Sequence, residues 1–252
     1  MRLIRKKTAI SFLFWLCTYY LLPLSISSVA ADDHLTVELN TTGMPPLNTP
    51  DQKGFMDLIA LAAFSRIGVT LKTVQLPAER GLLDANAGYE DGEMSRIAGL
   101  SEKYTHLIQV REKIMDWEFM AFSARLSDMQ AGWSGLASQS TAIITGWKIL
   151  ENNVPPTAQL TKVKFPYQLF HLLQQNRVDL VLYERWGGLT LLKHQKKIKL
   201  LEPPLAVKAM YIYLHEKHWA LVPRLEQALR SVKQDGTYAS IYNKILAPLA
   251  RR

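Results

Sequence analysis

From Leu76 to Tyr104 the chain reads LPAERGLLDANAGYEDGEMSRIAGLSEKY, and the change of pattern inside this stretch decides the fold class. Pro77 opens a short helical pattern whose apolar members are Leu82, Leu83 and Ala87, and Gly88 closes it. Asp91 to Ile97 then reads as a strand running into a loop. Arg80, Glu90, Asp91, Glu93 and Arg96 crowd around that strand's end. Ligands of open α/β sheets collect beyond the carboxyl ends of strands, so the crowding marks a binding site rather than a catalytic signature.

The same alternation extends in both directions. Upstream, Thr36 to Leu39 is a strand, Thr42 to Lys53 a Pro-rich loop, and Phe55 to Ile67 a helix with Phe55, Ile59, Ala62 and Ala63 on one face. Asp57, near that helix's start, reads as a cap. Gly68 ends the helix, and Val69 to Gln75 is a strand. Downstream, Trp117 to Ser123 is an aromatic strand, and the small, polar run Ala124 to Ala137 reads as a crossing to a second unit. There, Thr141 to Thr145 is a strand, Gly146-Trp147-Lys148 a turn, and Lys148 to Asn153 a helix. Phe165 to Asn176 is a further helix and Val178 to Tyr183 a buried strand. Pro203-Pro204 and Lys208 to Leu214 form the return crossing, and Leu221 to Val232 and Tyr238 to Leu246 are helices that pack back onto the first unit. The expected architecture is α/β in two lobes, residues 32–123 with 207–252 and residues 124–206.

Residues 1–31 carry Arg2, Arg5, Lys6 and Lys7, an apolar run from about Ala9 to Ile26, and small residues before Asp32. This is a secretory signal peptide with cleavage after Ala30 or Ala31, and it implies a periplasmic protein. The sole cysteine, Cys17, leaves with it, so the mature fold must hold without disulfides. Four of the 30 Lys and Arg also leave, which lowers the net charge from +8 to +4. Neither that charge nor any basic stripe with interleaved aromatics supports nucleic-acid binding.

Catalytic patterns are absent. His215-Glu216-Lys217-His218 spaces its histidines three apart, whereas the helical zinc-protease motif needs four. Gly132-Trp133-Ser134-Gly135 does not match a nucleophile turn, and no phosphate loop is present. Recognition of a small polar molecule needs a few fixed charges and flat apolar walls. Arg80 and Arg96 suit a carboxylate, Glu93 and Glu184 an ammonium or hydroxyl, and Tyr104, Trp147 and Trp186 the walls. Each has a plainer reading: Arg80 and Glu79 as a solvated pair, the tryptophans as core.

Met44-Pro45-Pro46, Gly54-Phe55-Met56-Asp57-Leu58, the opening stretch and Leu107 to Phe122, in this order and spacing, resemble the family 3 extracellular solute-binding proteins of bacterial transporters. The resemblance spans nearly all of the mature chain. It implies the type II periplasmic binding protein fold and reversible capture of a small polar, amino-acid-like or organic-acid ligand by hinge closure. It further implies a monomer without cofactor, metal or catalytic role, delivering to an ABC permease or a membrane sensor. Glu184, five positions after Asp179, matches the carboxylate with which family amino-acid binders hold the ligand's ammonium group. Two departures put an ordinary α-amino acid in doubt. Where the family has a Thr and, three residues on, an Arg, this chain has Ser101 followed by Glu102, Lys103 and Tyr104, so that either Lys103 or Tyr104 takes the arginine's place or Arg96 substitutes from the neighbouring turn; the family's Gly-Ser or Gly-Thr is Gly146-Trp147 here. The expected site sets Arg96 against an anionic group, opposed across the cleft by Glu184 and walled by Trp147. The alternatives are a dehydratase-like enzyme on this fold, with Glu93 or Glu184 as general acid, and a ligand-sensing module for a signalling partner.

Overall fold

A computed structural model describes residues 35–250, so the signal-peptide reading lies outside the described residues. β1 (Thr36–Thr41) and β2 (Thr70–Gln75) pair in parallel because α1 (Phe55–Arg66) carries the chain back between them. α1 buries Phe55, Met56, Ile59, Ala60, Ala63 and Phe64, a face that follows the helical repeat. Asp57 is a cap, as expected: its carboxylate accepts from Gly54 N at 3.0 Å, Thr49 N at 2.7 Å and Asn48 Nδ2 at 2.6 Å. α2 (Ala78–Asn86) then leads to β3 (Gly92–Arg96), parallel to β1 and buried along its whole length. α2 turns Ala78, Leu82 and Ala85 inward and leaves Leu83 exposed, since two adjacent leucines cannot both face the sheet.

β4 (Leu107–Gln109) and β5 (Met115–Ser123) follow, then β6 (Ser140–Ile144), α3 (Lys148–Asn153), β7 (Gln159–Val163), α4 (Pro166–Gln174), β8 (Leu180–Glu184) and α5 (Arg185–Leu191). β9 (Lys199–His215) is long enough to serve two sheets. Its end pairs with β3 and β4 in the sheet that holds β1 and β2, and its first part pairs with β5 in the sheet that holds β6, β7 and β8. The β5–β9 ladder breaks between Phe119 and Ala121, opposite the stretch of β9 that contains Pro203 and Pro204, which have no N–H to donate. α6 (Val222–Gln234), α7 (Thr237–Ile245) and α8 (Ala247–Ala250) complete the chain. α6 buries Leu225, Ala228, Leu229 and Val232 and, with α7, packs on α1, where Phe55 meets Tyr238 edge-on at 5.2 Å.

One expectation is corrected. Ser123 was to close the first lobe, yet β5 pairs with β8 in the second sheet, so the chain changes sheets before β5. The segment that does so runs beside β9, with Val110 N donating to Ile212 O at 2.9 Å and Ile114 N to Met210 O at 2.8 Å. The two crossings are therefore neighbours, joined by backbone hydrogen bonds.

Candidate functional site

The parallel strands β1, β3 and β6 all point their carboxyl ends at one cleft. Thr42 follows β1, Ser95 and Arg96 end β3, and Gly146, Trp147 and Lys148 follow β6. Trp117 and Phe119 of β5 and Met210 of β9 form the wall that spans both sheets, and Leu82, Ile97, Leu100 and Ile149 complete the lining. Residues of both sheets thus meet across one opening, the arrangement that lets a ligand couple their relative position. The cleft is narrow, with about 30 Å³ of free volume. Small-molecule sites occupy roughly 300 to 1,000 Å³, so the cleft as it stands is below that range.

Arg96 is nearly fully buried and makes three hydrogen bonds to two partners. Nε donates to Glu93 Oε2 at 2.9 Å, and Nη2 donates to Glu93 Oε1 at 2.6 Å and to Ala78 O at 2.9 Å. These bonds use Nε and Nη2, and among the described residues none comes from Nη1. Glu93 spends its carboxylate on Arg96; burial pushes its pKa up to about 7, and the guanidinium pulls the other way. Trp147 is buried in an aromatic stack, 4.9 Å and nearly parallel to Tyr183, 5.3 Å from Trp117 and edge-on to Phe119 at 5.9 Å. Two cleft-lining residues keep buried polar atoms without a hydrogen-bond partner among the described residues, Ser95 Oγ and Trp117 Nε1. Buried polar groups ordinarily find partners, so these two are exceptions beside the cleft.

The other expected site residues lie elsewhere. Arg80 is largely exposed and pairs with Asp84 one helical turn on, at 2.8 Å. Tyr104 is buried in a satellite core with Leu82, Leu107 and Tyr213, and Lys103 beside it is exposed. Trp186 packs edge-on against Tyr242 at 6.2 Å. Glu184 does not oppose Arg96. Its carboxylate turns onto α5 and accepts from Trp186 N at 2.8 Å and from Gly187 N, capping the helix that starts immediately after it. Residues not expected at the site are Ser95, Trp117 and Phe119, which line the cleft, and the pair Glu79–Lys148, in which Lys148 of α3 reaches Glu79 of α2. The signal for Trp117 and Phe119 was their alternate spacing on β5, which puts both on one face.

Glu184 gives the protein a pH dependence. Burial raises its carboxyl from the usual 4.5 to about 8, against the two backbone N–H groups that favour the anion. The folded state therefore holds this proton more tightly than the unfolded state. Its contribution to stability is complete below about pH 4.5 and is lost as the pH rises through about 8. Glu184→Gln retains an acceptor for the cap and cannot ionise. Its melting temperature is expected to fall less between pH 5 and 8 than the parent's, with Glu93 supplying the remaining slope. Identical slopes in the two proteins would contradict this.

No protein-family model matches the chain. A protein of Shewanella oneidensis described as uncharacterized is 23% identical over 192 residues, 72% of either chain. Among solved structures, an ancestral arginine-binding protein bound to glutamine superposes with a TM-score of 0.72 at 18% identity, covering 84% of this chain and 97% of that one. The substrate-binding protein of an ABC uptake transporter from Streptococcus pneumoniae, with bound histidine, gives 0.69 at 15% identity over 84% and 92%. A histidine kinase sensor domain with similarity to periplasmic binding proteins gives 0.70 at 16% identity over 85% and 97%. Likeness at such identities concerns the mixed α/β frame. With its two sheets, paired crossings and cleft at the strand ends, the chain has the two-lobe type II periplasmic binding protein fold.

Proposed function

We propose that the chain is an exported solute-binding protein that captures a small carboxylate-bearing ligand with an apolar body, an amino acid or organic acid, by closing two lobes over it. On this reading the lobes are residues 35–112 with 211–250 and residues 113–210, meeting at the paired crossings. The observation that carries this reading is the cleft itself: Arg96, Ser95 Oγ and Trp117 Nε1 supply the polar contacts, and Trp147, Phe119 and Met210 the apolar wall. Glu93 is committed to Arg96 and Glu184 to its helix, so neither is placed to move a proton on a cleft ligand, which favours capture over turnover. The solved neighbours include transporter binding proteins and a sensor domain, and the loaded protein delivers to an ABC permease or a membrane sensor of that kind. Export rests on the leader at residues 1–31.

The test is a thermal-shift screen of the 20 standard L-amino acids and a panel of aliphatic and aromatic carboxylates. A ligand present at a hundredfold excess over Kd stabilises by about 2.7 kcal/mol. For a chain of this size that is a rise of roughly 5 to 10 °C. Hits are expected among carboxylates with an apolar side, and their methyl esters are expected to fail. Esters that bind as well as the acids would remove Arg96 from the site.

A further inference from the structure

We propose that His106, His215 and Glu216 form a surface site for a divalent transition metal of the zinc class. One ligand atom from each lies within 4.8 Å of the others. The backbone builds this convergence. β4 and β9 are antiparallel with Leu107 opposite His215, and Glu216 N donates to His106 O at 2.7 Å, so the three residues occupy facing positions where β4 begins and β9 ends. His106 Nδ1 already lies 2.7 Å from Glu216 Oε1, and the two imidazoles are stacked at 6.0 Å and 20°. Zinc binds imidazole nitrogen and carboxylate oxygen at about 2.0 to 2.2 Å, which puts neighbouring ligand atoms about 3.4 Å apart in a tetrahedral site. The exposed side chains of His106 and Glu216 need move only about 1 Å to reach that spacing.

The surroundings suit a cation. Lys217, next in the chain, is neutralised by Asp91 at 2.8 Å, and His218 is engaged with the same carboxylate at 2.7 Å. That engagement explains why the histidine three residues on takes no part. His215 is held by one long bond, from Lys217 N to Nδ1 at 3.2 Å, which gives way when the ring turns to a metal. Two imidazoles and one carboxylate select zinc, nickel or copper over calcium and magnesium, which prefer all-oxygen sites. Three protein ligands leave a fourth position for water or for a donor from another molecule. None of the three residues lines the ligand cleft, so the proposal stands apart from the solute-binding reading.

The test is calorimetric titration of the untagged protein with zinc chloride after EDTA treatment and dialysis. One zinc per chain is expected. Outer-sphere partners of zinc ligands are worth about 10- to 100-fold in affinity, so losing a direct ligand in His106→Ala or Glu216→Gln is expected to cost at least tenfold. His194→Ala, which changes an exposed histidine outside this group, is expected to bind zinc as the parent does. His106 is exposed, so His106→Ala is expected to melt as the parent does and to report on the metal alone. Absence of zinc binding in the parent overturns the proposal. So does a folded His106→Ala protein that binds within twofold of the parent.

Discussion

Arg96→Ala is expected to lose about 3 to 5 kcal/mol of folding stability, because it leaves the Glu93 carboxylate buried without its partner. For a chain of this length that corresponds to a fall in melting temperature of roughly 10 °C. The loss alone would not separate a structural ion pair from a ligand clamp. The double variant Glu93→Leu, Arg96→Met does. Replacing both partners of a buried pair with apolar groups of similar volume is often neutral or stabilising, since no charge is left to desolvate. That protein is expected to melt near the parent temperature and yet to bind carboxylates at least thirtyfold more weakly, the loss of about 2 kcal/mol that follows removal of a desolvated charged donor. A double variant that binds within twofold of the parent would reduce Arg96 to a structural residue. An Arg96→Ala protein as stable as the parent would mean that Glu93 relaxes into water, which the burial of both side chains opposes.

Which parts of this arrangement could be read from the residues follows from where each signal originates. α1 and α6 were legible because their buried faces repeat at helical spacing, and β8 because Leu180, Val181 and Leu182 form a continuous apolar run. β7 was missed: it is an edge strand, mostly exposed, and its Gln, Thr and Lys carry no alternation. α5 was missed because Gly187 and Gly188 are poor helix formers. The helix tolerates them for packing, since a Cβ on Gly188 would lie 2.1 Å from Phe122 Cζ. That second omission propagated to the site. Without a helix directly after it, Glu184 read as a free carboxylate at a strand end, whereas the N–H groups of α5 claim it. Arg96 was legible as a strand-end residue, but its capture by Glu93 three residues earlier depends on a bulge between them, where the pairing of β3 with β9 shifts register. Regular alternation would have placed the two side chains on opposite faces. Glu79 and Lys148, 69 positions apart, are neighbours only because the two sheets face each other, and no local pattern announces such a pair.

Gly146→Ala is expected to weaken ligand affinity by tenfold or more while costing only about 1 kcal/mol of stability. Gly146 has φ +86°, in the left-handed region that a Cβ disfavours, and this strain persists whether the lobes are apart or together. The second effect belongs to closure alone. A Cβ at this position would lie 2.5 Å from Glu79 N and 2.9 Å from Glu79 Cα, so the turn after β6 could no longer rest against the start of α2. Those atoms are backbone and cannot swing aside as a side-chain end would. Under the proposed hinge closure only the closed form brings ligand contacts from both lobes together, so raising its free energy is expected to lower affinity by the same factor that it lowers the closed population. Lys148→Ala is the comparison. It removes the ion pair to Glu79 beside the same contact but adds no bulk, and a half-exposed pair is worth about 1 kcal/mol or less, so at most a fivefold loss is expected. The measurement is titration of each variant with the carboxylate that gives the largest melting shift, together with small-angle scattering of the saturated proteins. The parent and Lys148→Ala are expected to contract on binding and Gly146→Ala to contract less. If Gly146→Ala binds within twofold of the parent and contracts as far, then the approach of Gly146 to Glu79 has no part in closure.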